Sequence, residues 1–208
     1  MQQSYHRGIE DFWLLIEESE RNSLTRSERV EWLQGKLVTR AVEEIVEFQA
    51  ALTNVRRRAY TSDLYGAFYN VLDEGSLDGF EYFNLWLVSL GRMNFEAVVG
   101  DPDKLIDLPQ IQYLLDVQVA RLQERKSEIW SREERPQFEI LGYVAYDPYE
   151  TVSGRPAESL FDAVRGRGDY VPLLNLTGEA WKVSDPVQVQ HRLPRIYNFM
   201  KRYRRRFE

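Results

Sequence analysis

The acidic residues that could do chemistry are concentrated around residues 73–81. Asp78 and Glu81 are three positions apart, so both carboxylates lie on one face if this segment is helical. With a third carboxylate they could hold a hard cation for metal-assisted hydrolysis. Acids in the first turn of a helix also complement its dipole without any ligand. We expect this structural role, because no further ligand pattern accompanies the pair, and we keep a metal-assisted hydrolase around Asp78 as an alternative.

The residue types used in nucleophilic catalysis are missing or scattered. The chain has no cysteine, and its two histidines, His6 and His191, are far apart. Asp101, Asp103 and Lys104 could suggest a metal-dependent cleavage motif, but Asp101 before Pro102 is also a typical helix start, and we favour capping. The sequence therefore predicts no catalytic residue, no metal and no cofactor, and the protein is expected not to be an enzyme.

Basic residues cluster in two places. Arg56, Arg57 and Arg58 are consecutive and would point in different directions around a helix, so we expect them to pair with nearby acids and to complement the helix dipole. The chain end is more basic, with Tyr203 and Phe207 among the cations Lys201, Arg202, Arg204, Arg205 and Arg206. These residues could contact a nucleic-acid backbone and stack on bases. The net charge of −6 argues against general affinity for nucleic acid, which is therefore an alternative partner.

The apolar pattern of residues 61–91 predicts a helical hairpin, which would position the acidic residues 73–81. Its first half has apolar residues at helical spacing, namely Leu64, Ala67, Phe68, Val71 and Leu72. The second half repeats the pattern with Phe80, Phe83, Leu87 and Leu90, with Trp86 beside them. We expect Ser62 and Asp63 to cap the first helix, Gly75 to end it in a left-handed conformation, and Ser76 to cap the second. The rings at positions 80, 83 and 86 should be buried between the paired helices.

Other segments also show helical patterns, beginning with residues 9–20 and a capping box formed by Thr25 and Glu28. A heptad-like seam follows, formed by Ala41, Ile45, Phe48, Leu52, Val55 and Ala59. Residues 138–152 fit a helix better than a strand, residues 166–189 look irregular, and residues 193–207 form a last helix. The predicted fold is all-α, a multi-helix bundle with an irregular, partly helical C-terminal segment. We divide it into a helical core domain (1–127), a charged connector (128–135) and a C-terminal segment packed on the core (136–208).

The overall composition fits a cytoplasmic protein. Hydrophobic residues make up 43% of the 208 positions, enough for a core that needs no disulfide or metal. No apolar run is long enough to span a membrane, and acidic residues near the N-terminus argue against a signal peptide. We therefore expect no membrane contact.

Several motifs resemble a known family. Phe12, Trp13 and the run Leu14–Glu17 resemble the opening "FW.LIE" of the bacterial domain-of-unknown-function family numbered 4240. The hairpin resembles its signature "DGF..F..WL...G...F" through Asp78, Gly79, Phe80, Phe83, Trp86, Leu87, Gly91 and Phe95. The segments 43–48 (EEIVEF) and 101–105 (DPDKL) are also similar. The resemblance covers about residues 9–108, and more loosely 141–154. Leu77 departs from the pattern, because the family has two acidic residues before Gly79, and this departure weakens the idea of an essential carboxylate pair.

The resemblance implies a helical protein but no established activity. Our leading hypothesis is a helical binding or interaction module with a protein partner, in a regulatory, defence or toxin-neutralising system. The candidate binding residues are those of the family-signature corner, Trp13, Tyr60, Asp78, Phe83 and Trp86. For nucleic acid the candidates are Arg202, Arg204, Arg205 and Arg206.

Overall fold

A computed structural model describes residues 2–167 and 175–206, with side chains from residue 8 onward. Within these ranges the protein is all-α, as predicted, and no strand is formed. Two 3₁₀ helices, Pro102–Asp107 and Glu139–Tyr143, accompany the α-helices. These are Gln2–Arg21 (α1), Arg26–Leu37 (α2), Val42–Ala59 (α3), Ser62–Leu72 (α4), Leu77–Ser89 (α5), Arg92–Gly100 (α6), Pro109–Gln123 (α7), Tyr146–Ser153 (α8), Ser159–Gly166 (α9), Pro186–Arg192 (α10) and Pro194–Arg204 (α11).

The predicted hairpin is formed by α4 and α5, and its aromatic residues are buried as expected. Phe80 and Phe83 have 0% of their surface exposed and Trp86 has 6%. The Phe83 ring centroid lies 5.0 Å from that of Phe68 on α4 and 5.6 Å from that of Trp86. Side chains of this size bury about 150–250 Å² each, so the cluster contributes a large part of the core. These rings therefore serve as scaffold.

The ends of the hairpin helices differ in part from the prediction. Thr61 caps α4, because its hydroxyl accepts a hydrogen bond from the backbone N–H of Leu64 at 3.1 Å, whereas Ser62 is already helical. Asp73 ends α4 in the left-handed conformation (φ 54°), a role predicted for Gly75; aspartate tolerates this conformation because its short polar side chain can bond locally. Ser76 caps α5 as predicted, accepting the Gly79 N–H at 3.0 Å.

Other local predictions are confirmed. Thr25 and Glu28 form the capping box of α2. The seam along α3 is buried at its last five positions, Ile45, Phe48, Leu52, Val55 and Ala59. Residues 138–152 are helical, since they form the second 3₁₀ helix and most of α8. Pro148 lies in the first turn of α8, where a missing N–H removes no helical hydrogen bond.

The C-terminal segment contains one more helix than predicted. Residues 186–192 form α10, although the sequence pattern placed the first four of them in the irregular stretch 166–189. Asp185 caps α10 by accepting the Val187 N–H at 2.9 Å, and Pro186 occupies the first helical position. The stretch 166–189 is only partly described, and its residues 168–174 lie outside the described ranges.

A single hydrophobic core joins the helices, with buried side chains from Phe12 on α1 to Tyr203 on α11. Side chains on both sides of the connector 128–135 belong to it, including Leu114 and Leu141. In residues 2–167 and 175–206, no helix is long and apolar enough to cross a membrane.

Candidate functional site

The five predicted binding residues separate into two groups. Trp13, Phe83 and Trp86 are buried in the core, where the Trp13 ring packs 5.4 Å from the ring of Phe95. Asp78 is exposed on the first turn of α5. Tyr60 is largely buried at the end of α3, close enough to Asp78 for that carboxylate to affect its phenol. Tyr60 and Asp78 therefore lie within electrostatic range of each other.

Tyr60 and Asp78 belong to a larger group of polar side chains from three parts of the chain. The end of α3, the start of α5 and the second 3₁₀ helix meet here. The backbone N–H of Phe138 donates to the Tyr82 carbonyl at 3.0 Å and joins the 3₁₀ helix to α5. We name the group the tyrosine–carboxylate face; it consists of Arg56, Tyr60, Asp78, Glu81, Tyr82, Glu139 and Tyr143.

Arg56 supplies the positive charge of the face. Its Nη2 lies 3.5 Å from Oε2 of Glu81, and its buried Nε has no hydrogen-bond partner among the described residues. Burial lowers the pKa of Arg56, and the neighbouring Glu81 opposes that shift. A guanidinium stays protonated in proteins, so Arg56 keeps its charge and holds Glu81 in place.

The tyrosines of the face are hydrogen-bond donors at neutral pH. Burial raises the pKa of Tyr60, and the carboxylate of Glu81 raises it further against the opposing effect of Arg56. A side-chain hydrogen bond to Glu139 raises the pKa of Tyr82. Because both phenols start from a pKa of about 10, both are neutral under physiological conditions.

Apolar side chains are exposed around the charged groups. Leu77 and Ile140 are both more than half exposed, and Tyr143 is 55% exposed with its ring packed edge-on against Tyr146 at 5.6 Å. The family-signature motif includes Asp78 of this face. It did not indicate Tyr82, Glu139 or Tyr143, because the sequence contains no local pattern that pairs residues 82 and 139.

The profile of a family described as "Protein of unknown function (DUF4240)" matches residues 9–151. The chain belongs to this family. No curated protein and no solved structure matches the chain. The DUF4240 region contains the whole tyrosine–carboxylate face, whereas α10 and α11 lie beyond it.

Among the residues that the structure describes, no third acidic or histidine side chain joins Asp78 and Glu81 closely enough to share a metal ion with them. Glu81 faces Arg56. The metal-assisted hydrolase would need such a third carboxylate beside Asp78.

Two other charged motifs of the DUF4240 region, the arginines at the end of α3 and Asp101, have structural roles. Arg58 pairs with Glu96, with Nη1 and Oε1 2.7 Å apart, and Arg56 pairs with Glu81. Two of the three consecutive arginines thus pair with acids as expected, whereas Arg57 forms no ion pair among the described residues. Asp101 caps the first 3₁₀ helix by accepting the Asp103 N–H at 3.2 Å, which confirms the capping prediction.

The basic end of α11 is mostly exposed. Tyr203 is the exception, because it is buried and its hydroxyl donates to the Leu115 carbonyl at 2.8 Å, so its ring is not accessible for stacking on a base. Arg206 pairs with Asp116 at 3.3 Å. The side chains that remain exposed without an ion pair among the described residues are Lys201, Arg202, Arg204 and Arg205. Phe207, the second predicted aromatic residue, lies outside the described residues.

Proposed function

We propose that this protein is a helical interaction module of the bacterial cytoplasm, and that its tyrosine–carboxylate face binds a basic segment of a partner protein. Such a module suits a regulatory, defence or toxin-neutralising system. The observation that supports the proposal is the composition of the face. Its three carboxylates exceed its one guanidinium, and they lie next to exposed tyrosine and aliphatic side chains.

The excess of negative charge favours a cationic partner. Glu81 is already paired with Arg56, but Asp78 forms no ion pair within the described residues. An arginine or lysine of a partner could pair with Asp78 and place its cation over a nearby tyrosine ring, since aromatic faces attract cations.

The exposed side chains of the face have the chemistry of an interface. Tyrosine is common at the centres of protein interfaces, because its ring excludes water while its hydroxyl forms a hydrogen bond. Tyr143 offers a partner both an exposed ring and a hydroxyl group. Ile140 lies three positions before it on the same 3₁₀ helix. A partner side chain packed on these two residues would bury apolar surface beside the carboxylates.

The scaffold below the face is rigid, so little conformational freedom would be lost on binding. The Tyr60 ring packs 5.5 Å from the buried ring of Phe80, and Nε2 of Gln49 on α3 donates to the Gly142 carbonyl at 3.3 Å. Contacts of this kind fix the 3₁₀ helix against α3 and α5. A preorganised surface of this type binds a partner at lower entropic cost.

The proposal can be tested by site-specific photo-crosslinking in the native host. A photoreactive phenylalanine analogue is placed at Tyr143, which is 55% exposed, and in a control at Tyr113, which is 56% exposed and lies on α7. We expect one partner to be crosslinked from position 143 and not from position 113. The crosslink should be lost in Asp78→Lys, which reverses the charge beside Tyr60.

The crosslinked peptide is then identified, synthesised and titrated against the purified protein. We expect a lysine-rich or arginine-rich segment whose affinity falls with salt. Equal crosslinking from positions 113 and 143, or a crosslinked segment without basic residues, would contradict the proposal.

A further inference from the structure

Helix α11, which lies beyond the family match, borders an open groove on its outer side. The groove has a volume of about 720 Å³ and lies between the first 3₁₀ helix, the start of α7 and α11. Its lining includes Asp107, Gln112, Arg195, Phe199, Arg202 and Arg205. It belongs to a different part of the surface from the tyrosine–carboxylate face, because none of its lining residues is shared with that face.

The cations of the groove form a regular stripe. Arg195, Arg202 and Arg205 are separated by seven and three positions, which places them on one face of a helix. Ten residues of α-helix rise by about 15 Å, so the stripe is long enough to contact several successive phosphates. Asn198 lies on the same stripe and adds an amide donor.

Most of this charge is not neutralised by the protein. Arg195 pairs with Asp107 at 2.6 Å, but Arg202 and Arg205 form no ion pair within the described residues. In a chain of net charge −6, acids are plentiful, so unpaired arginines beside a groove leave local positive charge for a ligand. The dipole of α11 accounts for cations in its last turn, but not for a groove beside them.

A second groove borders the other side of the same helix. It has a volume of about 560 Å³ and is lined in part by Tyr197, Lys201, Arg204 and Arg205. Lys201 and Arg205 line both grooves. A flexible chain of phosphates could therefore cross α11 from one groove to the other, whereas a single small anion would fill neither groove.

An aromatic ring lies among the cations. Phe199 is half-buried, lines the first groove and stacks on the buried ring of Tyr203 at 6.2 Å. Alternation of cations with an accessible aromatic ring is typical of surfaces that bind single strands, where phosphates contact the cations and a base stacks on the ring. Tyr203 supports the Phe199 ring from below.

We infer from these observations that α11 is a binding site for single-stranded nucleic acid. The phosphates lie along Arg195, Arg202 and Arg205, and a base stacks on Phe199. The site reads no sequence, because its polar groups face the phosphate path and its one ring accepts any base. This inference is independent of the proposed protein partner, since the two sites share no residue.

The inference can be tested by fluorescence anisotropy with a labelled oligo(dT) of about 20 nucleotides. Two phosphates neutralised by the unpaired Arg202 and Arg205 predict that a fourfold rise in salt weakens binding by roughly sevenfold. The double variant Arg202→Glu with Arg205→Glu should lose at least that much affinity. Arg202→Gln with Arg205→Gln is the milder variant, for use if charge reversal lowers the melting temperature.

A matched control makes the same change of net charge elsewhere. Arg132→Glu with Arg155→Glu alters two exposed arginines that form no ion pair among the described residues. We expect this control to bind oligo(dT) within about twofold of the wild type. An equal loss of affinity in the two double variants, or no salt-dependent anisotropy change with the wild type, would overturn the inference.

The role of Phe199 distinguishes nucleic acid from inorganic polyphosphate. Phe199→Leu should weaken oligo(dT) binding by about tenfold, because stacking on the base is lost, and should leave polyphosphate binding unchanged. If the variant binds oligo(dT) as well as the wild type does, and polyphosphate competes at equal phosphate concentration, the groove is a polyphosphate site and the assignment to nucleic acid is wrong.

Discussion

Asp103 caps helix α11 across the fold, because its Oδ1 accepts the backbone N–H of Ile196 at 2.7 Å. Its Oδ2 accepts the N–H of Arg195 at 2.8 Å, so both carboxylate oxygens bond to the first turn of a helix more than 90 positions later in the chain. Asp103 is buried, and the two bonds fix the angle between the first 3₁₀ helix and α11. That angle sets the width of the groove along Arg195, Arg202 and Arg205.

Replacing Asp103 should therefore destabilise the protein and alter the groove together. We expect Asp103→Ala to lower the free energy of unfolding by about 2–3 kcal/mol, since two buried N–H groups lose their acceptor. Asp103→Asn keeps one acceptor oxygen and should cost about half as much. Urea denaturation measures both. A loss below about 0.5 kcal/mol in Asp103→Ala would show that water or another acceptor replaces the carboxylate.

The core of the hairpin gives a second prediction. Phe83 is fully buried among the rings of Phe68, Phe80 and Trp86, so Phe83→Ala should leave a cavity and cost about 3–5 kcal/mol. The same substitution at Phe161, which is 42% exposed, should cost at most about 1 kcal/mol. Chemical denaturation compares the two variants, and similar losses would contradict the scaffold role of the hairpin aromatics.

Gly66 gives a third prediction, in which packing opposes helix propensity. Alanine in the middle of a helix is normally more stable than glycine by about 1 kcal/mol. On α4, however, a Cβ at position 66 would overlap the ring of Trp181. We expect Gly66→Ala to cost about 1–3 kcal/mol because Trp181 must move. A double-mutant cycle with Trp181→Ala tests this reason, since the loss should become a gain once the ring is absent.

The parts of the fold that were predicted correctly are those specified by neighbouring residues. The spacing of Leu64 and Phe68 determines which side of α4 is buried, and Thr25 with Glu28 determines where α2 begins. Asp185 and Pro186 contain the same kind of local signal as Asp101 and Pro102, so α10 could have been found by treating both pairs alike.

The candidate site was predicted only in part, because it depends on packing between distant segments. Asp78 was identified through a family motif, but Glu139 reaches Tyr82 only when the second 3₁₀ helix docks on α5. No residue near position 139 specifies that partner. The cap that Asp103 provides for the first turn of α11 was missed for the same reason. Local capping by Asp101 already explained the acidic residues of the segment 101–105.

Tyr203 predicts a loss of stability at alkaline pH. Burial raises the pKa of Tyr203 to about 12, above the value of about 10 expected in the unfolded chain. The folded state therefore holds the phenol proton more tightly, and its contribution to stability is complete below about pH 10 and is lost as the pH rises towards 12. Tyr203→Phe should cost about 1 kcal/mol at neutral pH and flatten this alkaline decrease. Urea denaturation midpoints of the wild type and of Tyr203→Phe at about pH 7 and about pH 11 measure this alkaline loss of stability. An equal loss in both proteins would contradict the raised pKa of Tyr203.

Glu134 predicts the opposite dependence, at acid pH. Hydrogen bonds from Ser131 and Arg121 lower the pKa of Glu134 to about 2, whereas the unfolded chain has about 4.3. The stability that this carboxylate provides is present above about pH 4.3 and is lost as the pH falls towards 2, because the folded state resists protonation. Glu134→Gln cannot titrate and should be less stable than the wild type at neutral pH, with the difference shrinking at about pH 3. Urea midpoints measure that difference, and Glu128→Gln serves as control, since Glu128 is exposed and lies 4.0 Å from its ion-pair partner Arg135. A constant difference across the acid range would mean that folding does not lower the pKa of Glu134.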